Sequence, residues 1–257
     1  MAQIKANEAL VKALQTWNID HLYGIPGDSV DAVVDSLRTV RDQFKFYHVR
    51  HEEVASLAAA SYTKMTGKIG VALSIGGPGI VHLLNGMYDA KMDNVPQLII
   101  AGQTNSTLLG TKFFQETNIS KMVDDVAVYH HQIQKGDNVF EITNEAIRTA
   151  YEKKGVSVII CPNDLLTQKI KDTTNRAVDT TKPKPASPKF KSIKKAAKLI
   201  DKAKKPVMLI GLGTQHAKDE LREFIEAAKI PVIHTLPAKT ILPDDHPYSI
   251  GNLGKIG

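Results

Sequence analysis

Three short segments of the sequence carry residue types that could bind an anion or move a proton. They are Gly24-Ile25-Pro26-Gly27, His51-Glu52-Glu53 and Gly76-Gly77-Pro78-Gly79. Backbone N–H groups at a glycine turn or a helix N-terminus can receive an anion, and a carboxyl group beside them can exchange a proton with a ligand. Each segment also has a purely structural interpretation, as a turn, a helix cap or a plain loop. Taken singly, the segments leave both interpretations open.

The residues around these segments alternate between helical and strand periods, which predicts a parallel sheet covered by helices. The predicted strands are Asp20–Tyr23, Lys45–Val49, Ile69–Ser74, Gln97–Ala101, Val126–Ile133 and Val156–Cys161. The predicted helices are Lys5–Trp17, Ser29–Val40, Glu52–Met65, one that opens at Gly76–Gly79, and Asn138–Lys153; residues 102–118 are predicted to be irregular. The fold class is therefore predicted as α/β, with a doubly wound parallel six-stranded sheet. Ligands of such sheets bind at the carboxyl ends of strands, where all three segments lie.

A change in composition after Leu166 predicts a domain boundary. Residues 172–191 include three prolines and few apolar side chains, which is typical of a linker. We expect a first domain at residues 1–168, a linker at 169–191 and an incomplete second α/β domain at 192–257. Its predicted elements are helices Ser192–Lys204 and Gln215–Lys229 and strands Pro206–Ile210 and Pro231–His234. Two helices and two strands cannot bury much apolar surface by themselves. We therefore expect the chain to be the front part of a longer protein.

Composition and charge exclude several functional classes. The single cysteine, Cys161, rules out an internal disulfide and a cysteine-rich zinc site, and the N-terminus lacks a secretory signal, so we expect a cytoplasmic protein. The net charge is +6, but residues 169–205 hold thirteen basic against three acidic residues, while the rest of the chain is net acidic. Because the basic charge is confined to one linker and one helix, we expect no nucleic-acid binding.

Other catalytic motifs are absent from the sequence. There is no P-loop, no Gly-x-Ser-x-Gly and no His-Glu-x-x-His. His130 and His131 are adjacent on a predicted strand, so they point to opposite faces and make poor joint metal ligands. Gly211-Leu212-Gly213 alone is a weak dinucleotide-binding signal. We expect no metal ligand in this chain.

Four longer strings, taken together, resemble the N-terminal pyrimidine-binding domain of thiamine-diphosphate enzymes. They span Leu22–Leu37, Arg50–Gly79, His82–Gln103 and Phe113–Glu116. The linker and the strings GLGTQHA, HTLPAKTILPDDHP and YSIGNLG resemble the central, FAD-carrying domain of the same family, so the resemblance extends over residues 3–257. Within the family, the run from His82 to Ala90 favours the pyruvate oxidases over the acetolactate synthases, which share the other motifs.

The resemblance implies roles for individual residues. Glu52 matches the catalytic glutamate that hydrogen-bonds the pyrimidine of thiamine diphosphate and so promotes loss of the C2 proton, and Glu53 lacks that role. Phe114 and Gln115 would border pyruvate, and Ser29 and His82 would lie near the reacting carbon. The residues implied to pack around thiamine diphosphate are Gly27, Gly77, Pro78 and Gly79, and those implied to bind FAD are Gly211, Gly213, Thr235 and Lys239.

The resemblance also implies an activity: oxidative decarboxylation of pyruvate, giving acetate with a quinone as electron acceptor or acetyl phosphate with oxygen. In this family a third domain holds Mg²⁺ and the diphosphate, and its Gly-Asp-Gly motif has no counterpart here. We therefore expect the Mg²⁺ ligands to lie outside this chain, and the chain alone to be inactive.

Family active sites form between subunits, which implies a homodimer or homotetramer. A quinone-linked form would touch the inner face of the cell membrane peripherally through polypeptide beyond residue 257. The alternatives are an acetolactate synthase-type enzyme and a non-catalytic fragment that dimerises or regulates.

Overall fold

Strands and helices alternate along residues 3–171 of the computed structural model, which describes residues 2–182, 187–215 and 217–254. The strands are β1 (Gln3–Lys5), β2 (His21–Gly24), β3 (Lys45–His48), β4 (Gly70–Ser74), β5 (Gln97–Gln103), β6 (Ala127–Gln132), β7 (Val156–Pro162) and β8 (Lys169–Lys171). The helices are α1 (Ala6–Thr16), α2 (Asp31–Thr39), α3 (Glu52–Thr66), α4 (Pro78–Met92), α5 (Ile119–Val123), α6 (Val139–Lys153) and α7 (Asn163–Leu166). The chain divides into two units, residues 1–184 and 185–257.

Six of these strands form one parallel sheet in the order β3-β2-β4-β5-β7-β6. Every residue of β4, β5 and β7 is buried, as expected for central strands covered on both faces. The side chains alternate between faces: Leu98 and Ile100 enter one core, and Ile99 and Ala101 the other. The predicted doubly wound six-stranded sheet is confirmed.

Helices cover both faces of this sheet. Helices α1, α2 and α6 contribute Leu10, Leu37 and Ile147 to one core. Helices α3, α4 and α5 pack on the opposite face, where α3 contributes alanines and α4 contributes Leu83 and Met87. The parallel strands therefore all end at one edge of the sheet, and the loops and helix N-termini that follow them lie at that edge.

The first unit contains a small second sheet that the sequence pattern did not predict. Strand β1 lies where the predicted first helix begins, and it pairs antiparallel with β8, which lies in the predicted linker. Ile4 and Ile170 face each other in this pair and are buried, while the lysines on either side are exposed. The short helix α5 is also unpredicted, and it follows directly on the predicted irregular stretch.

Among its described residues, the second unit has three short parallel strands and two α-helices. The strands β9 (Met208–Ile210), β10 (Val232–His234) and β11 (Ser249–Asn252) are arranged in the order β11-β10-β9, and the helices are α8 (Phe190–Lys202) and α9 (Lys218–Ala228). The smaller second α/β unit is confirmed, with β11 as a strand that the sequence pattern missed. Its core gathers Ile210, Ile225, Val232, Ala238, Ile241 and Leu242. Helix α8 buries none of its residues.

The described residues contain no helix that is both long and apolar enough to span a membrane. Cys161 lies on β7 and is fully buried, and burial raises the pKa of its thiol to about 12. The thiol is therefore protonated at neutral pH and cannot serve as a nucleophile.

Candidate active site

Glu52 is the first residue of α3 and follows the end of β3 by four residues. Its side chain is only 12% exposed. The preceding residue, His51, is extended (φ −150°, ψ 138°) and makes no side-chain hydrogen bond to cap the helix. A mostly buried carboxyl group therefore lies at a helix N-terminus on the edge of the sheet where ligands bind.

His82 of α4 is the direct partner of this carboxyl group. Its Nδ1 lies 2.9 Å from Oε2 of Glu52, within hydrogen-bond distance. The ring of His51 stacks on that of His82, with a centroid separation of 4.4 Å and an interplanar angle of 29°. Both imidazoles are solvent-exposed, so the carboxylate is reached from solvent past two histidines.

The close approach of α3 and α4 brings Glu52 and His82 together. One helical turn farther along each helix, Gly86 packs on Ser56: a Cβ placed on Gly86 would lie 2.6 Å from Cβ of Ser56 and 2.6 Å from the backbone nitrogen of Leu57. Only glycine fits at such a contact. Because residues four apart share a helix face, this contact also sets the spacing of the site residues one turn earlier.

Glu53 points to different partners from its neighbour Glu52. Its carboxylate accepts a hydrogen bond from the side-chain amide of Asn85 and lies 3.7 Å from Nδ1 of His51. The side chain of Glu53 is 37% exposed, against 12% for Glu52. The two adjacent acids therefore occupy different environments, and only Glu52 is enclosed.

A cavity of about 170 Å³ lies at the same edge of the sheet, where β2, β4, β5 and β7 end. Three of the predicted substrate-binding residues, Ser29, Phe114 and Gln115, line it together. The other lining residues are Asp28, Gly76, Gln103, Thr104, Asn105, Leu108, Phe113 and Asn163. Glu52 and His82 are not among them. The predicted catalytic and substrate-binding residues thus form two groups, the Glu52–His82 pair and the residues that line this cavity.

Ser29 has a clear structural role in the cavity wall. The residue is buried, and its hydroxyl oxygen accepts a hydrogen bond of 3.1 Å from the backbone N–H of Gly76. A Cβ on Gly102 would lie 2.4 Å from the same oxygen. Ser29 therefore ties the loops after β2 and β4 together against the end of β5.

The rest of the cavity wall comes from residues 104–118, which we call the aromatic loop. Phe113 and Phe114 are 50% and 73% exposed. Glu116 accepts backbone hydrogen bonds from Gly110 and Phe113, which lower the pKa of its carboxyl group. Asp164 of α7 accepts two more hydrogen bonds from the N–H and hydroxyl of Ser106. Polar contacts therefore hold this loop in place.

The predicted cofactor glycines of the first unit lie against protein atoms. A Cβ on Gly27 would lie 2.5 Å from Ile75, and one on Gly79 would lie 2.9 Å from the same side chain. Gly77 has a positive φ of 59° and packs on the backbone of Gln115, which itself has φ 61°. Pro78 opens α4, where a proline is tolerated. The loop from Gly76 to Gly79 thus links the cavity to the helix that carries His82.

In the second unit, the four residues predicted to bind FAD lie at or just after the carboxyl ends of β9 and β10. A Cβ on Gly211 would meet only Oγ1 of Thr235, at 3.9 Å, and one on Gly213 would meet nothing within 4 Å. Nζ of Lys239 lies 3.6 Å from Asp244. Unlike the predicted cofactor glycines of the first unit, Gly27, Gly77 and Gly79, the two glycines Gly211 and Gly213 leave open space beside the chain.

A second cavity, of about 180 Å³, lies at the opposite edge of the first unit, where β2 and β4 begin. Its lining includes Trp17, His21, Tyr62 and Tyr151. None of the predicted site residues lines it, and ligands of doubly wound sheets bind at the other edge. Volume alone therefore does not identify the site.

Comparison with known protein families identifies the domains. Residues 4–122 match the N-terminal TPP binding domain of thiamine pyrophosphate enzymes, and residues 193–257 match the central domain of thiamine pyrophosphate enzymes. The chain therefore carries the N-terminal and central domains of the thiamine pyrophosphate enzyme family. The resemblance seen in the sequence is confirmed at this level, and the coenzyme that this domain type binds is thiamine pyrophosphate, also called thiamine diphosphate.

Curated relatives are similar in sequence to this chain over nearly its whole length. A putative thiamine pyrophosphate-containing protein, YdaP, of Bacillus subtilis is 48% identical over 257 residues, which cover 100% of this chain and 45% of that protein. Pyruvate oxidase of Lactiplantibacillus plantarum is 38% identical over 255 residues, covering 98% and 42%. Acetolactate synthase of Mycobacterium leprae is 33% identical over 259 residues, covering 99% and 41%. The chain spans less than half the length of these three relatives.

Sequence reasoning missed several residues of the site. His51 stacks on His82, and Asn85 contacts Glu53 beside the pair. His51 was singled out only as part of the segment His51-Glu52-Glu53, and neither residue was assigned a role of its own. The cavity also includes Thr104, Asn105 and Asn163, which come directly after β5 and β7. Their position after buried parallel strands was a usable signal, because the polar residues that follow such strands gather at one edge of the sheet.

Proposed function

We propose that this chain contributes the thiamine-activating carboxylate of a pyruvate oxidase, an enzyme that decarboxylates pyruvate oxidatively. The observation that carries the proposal is the enclosed Glu52 at the N-terminus of α3, with its Oε2 2.9 Å from Nδ1 of His82. The 38% identity with a pyruvate oxidase, above the 33% with an acetolactate synthase, supports the choice of activity. His82 is the first residue of the run that favours the same choice.

The residues around Glu52 fit the aminopyrimidine ring of thiamine diphosphate. A largely enclosed carboxyl group can share a proton with a ring nitrogen, and His82 orients that group through Oε2. When bound, thiamine diphosphate supplies a nucleophilic carbon for the keto group of pyruvate. In this proposal Glu52 holds and transfers the proton. Phe114 and Gln115 position pyruvate in the cavity that Ser29 also lines.

The open space at Gly211 and Gly213 fits a phosphate-bearing cofactor such as FAD, with Thr235 and Lys239 as polar contacts. FAD would accept the electrons released by decarboxylation. We assign Mg²⁺ to polypeptide outside this chain. We propose a cytoplasmic homodimer or homotetramer. A quinone-linked form would touch the membrane peripherally and give acetate, whereas an oxygen-linked form would give acetyl phosphate.

The alternative is an acetolactate synthase-type enzyme, which differs from the oxidase in the step after decarboxylation. In that reaction the product of decarboxylation reacts with a second pyruvate instead of passing electrons to FAD, so a bound flavin keeps its oxidation state. The 33% identity over nearly the whole chain supports keeping this candidate. A non-catalytic fragment that dimerises or regulates is the third possibility, and it would bind thiamine diphosphate weakly if at all.

The test uses the full gene product that carries this sequence, loaded with thiamine diphosphate, Mg²⁺ and FAD. Pyruvate is added without oxygen while the visible absorbance of the flavin is followed. We expect the flavin to bleach and carbon dioxide to be released. If acetolactate forms and the flavin does not bleach, the activity is that of an acetolactate synthase and not that of a pyruvate oxidase. Failure to bind thiamine diphosphate in calorimetric titration would contradict both enzymes and favour the non-catalytic fragment.

A further inference from the structure

Three side chains at the N-termini of α3 and α4 bring together atoms that can bind a metal ion. His51, Glu52 and His82 each offer one ligand atom, and these atoms all lie within 4.8 Å of one another. Among the described residues, this is the only cluster of three such groups. The sequence indicated no metal site here, because His82 lies 30 residues from Glu52 and only the packing of α3 on α4 joins them.

The spacing of these atoms suits a small divalent ion. Around Zn²⁺, with bonds of about 2.0–2.1 Å, the ligand atoms of a tetrahedral site lie roughly 3.4 Å apart. Nδ1 of His82 and Oε2 of Glu52 are closer than this, at 2.9 Å, and all three ligand atoms lie within 4.8 Å of one another. Rotation of the two exposed imidazoles can even out these distances while Glu52 stays in place.

The donor set selects a transition metal. Two imidazole nitrogens and one carboxylate oxygen form the His₂Glu set used by catalytic zinc sites, which keep a fourth position open. Mg²⁺ and Ca²⁺ prefer oxygen ligands throughout. The side chains of His51 and His82 are 47% and 42% exposed, so an ion can enter from solvent and keep its open position on that side.

We propose that His51, Glu52 and His82 form a binding site for a divalent transition metal of the zinc type, and that the ion inhibits the enzyme by occupying Glu52. The second half rests on the proposed function, in which Glu52 must meet the aminopyrimidine of thiamine diphosphate. A metal ion on the carboxylate lowers its affinity for a proton and so weakens the hydrogen bond that Glu52 would make to a ring nitrogen. The ion and the coenzyme therefore compete at this residue.

The first experiment tests the site without any coenzyme. Zn²⁺ is titrated into the apo chain by calorimetry, and Co²⁺ binding is followed by visible absorption, which reports the coordination geometry. We expect one site, with Zn²⁺ bound at least tenfold more tightly than Mg²⁺. Glu52→Gln, His51→Ala and His82→Ala should each weaken Zn²⁺ binding by about 10–100-fold, the loss seen even when outer-shell partners of metal ligands are removed.

His130→Ala is the matched control. His130 lies on β6 with its Nε2 3.6 Å from Asp124, so it is a histidine beside a carboxylate outside any described three-residue cluster. Its removal should leave the affinity unchanged within about twofold. Equal Zn²⁺ affinity in all four variants, or Mg²⁺ bound as tightly as Zn²⁺, would overturn the site.

The second experiment tests inhibition by titrating thiamine diphosphate and Mg²⁺ into the full gene product with and without Zn²⁺. Zn²⁺ should raise the apparent dissociation constant of the coenzyme in the wild type and leave that of the His51→Ala variant unchanged. If Zn²⁺ binds at the three residues without this competition, the inhibitory half is wrong and the site stands. If the variants do not affect Zn²⁺ binding but Glu52→Gln still abolishes turnover, the site is wrong and the proposed function stands.

Discussion

The Glu52–His82 pair and the aromatic loop lie at the same edge of one sheet but are held by different forces. Glu52 and His82 stand on two helices whose spacing is set by the contact of Gly86 with Ser56. The aromatic loop buries little of Phe113 or Phe114 and depends on hydrogen bonds to Glu116 and Asp164. The proposed proton-handling group is therefore supported by close helix packing. The proposed substrate wall is held by polar contacts, which respond to pH and to single polar substitutions.

The largest effect should follow from removing the charge of Glu52. Glu52→Gln keeps the size of the side chain and its place on α3, but it removes the acid that we propose exchanges a proton with the coenzyme. We expect turnover of pyruvate by the loaded full gene product to fall by about 10²–10⁴-fold, the usual contribution of a positioned acid or base. Steady-state kinetics and circular dichroism together would measure the loss of turnover and the retention of the fold.

Glu53→Gln is the control for this substitution, because it changes the adjacent residue in the same helical turn. Glu53 contacts Asn85 and is more exposed, so we expect its loss to change turnover by less than about tenfold. If turnover falls equally in both variants, the rate depends on total negative charge at the start of α3. Glu52 would then have no role distinct from that of Glu53.

The next effect concerns the helical support of the pair. In Gly86→Ala the added methyl group meets backbone and Cβ atoms of α3 at 2.6 Å, so the helices must move apart. We expect the free energy of unfolding of the first unit to fall by about 1–3 kcal/mol, the typical cost of overpacking. The fluorescence of Trp17, the only tryptophan, reports denaturant unfolding of this unit.

Met92→Ala in the same helix provides the control, since this side chain is 74% exposed. It should change the free energy of unfolding by no more than about 0.5 kcal/mol. A Gly86→Ala variant as stable as Met92→Ala would show that α3 and α4 are not held by close packing.

The smallest effect should appear in the aromatic loop on acidification. Backbone N–H groups of Gly110 and Phe113 lower the pKa of Glu116 in the folded loop. Because this pKa is lower in the folded than in the unfolded state, its stabilisation is complete above the ordinary carboxyl pKa and is lost as pH falls through the lowered value. The amide resonances of Gly110 and Phe113 should therefore shift over that acidic range.

Glu116→Gln should abolish this titration of the two amides while leaving the unfolding of the first unit nearly unchanged. Amide shifts that keep the same pH dependence in Glu116→Gln would assign the titration to another group. A large loss of stability in this variant would contradict the view that the loop is a separately held wall.

The sequence predicted the parts of the fold that depend on local pattern. Short, mostly apolar segments between turn signals predicted β4, β5 and β7, and these central parallel strands are buried on both faces. Strands β1 and β8 escaped prediction because each is three residues long, has two lysines or polar residues and buries only one side chain. The two strands pair although more than 160 residues separate them, and neither segment carries a periodic pattern in its own sequence that would reveal the pairing.

The same distinction applies to the site. The role of Glu52 was implied only by the family resemblance, since its place after a strand left a structural interpretation open as well. The direct contact of His82 with Glu52 depends on how α3 meets α4. Ser29, Phe114 and Gln115 were predicted as substrate residues, and the structure places them in one cavity. Whether they contact pyruvate remains a prediction. The roles of Glu116 and Asp164 in the aromatic loop come from long-range polar contacts that no local pattern carries.

Hydrogen–deuterium exchange at C2 of bound thiamine diphosphate tests most directly whether Glu52 acts on the coenzyme itself, as we propose. The full gene product is mixed with the coenzyme and Mg²⁺ in heavy water, quenched with acid, and the C2 proton is counted by NMR. We predict fast exchange in the wild type and in Glu53→Gln, and exchange slower by about 10²–10⁴-fold in Glu52→Gln. Equal exchange rates in the wild type and Glu52→Gln, with the coenzyme bound in both, would contradict the account.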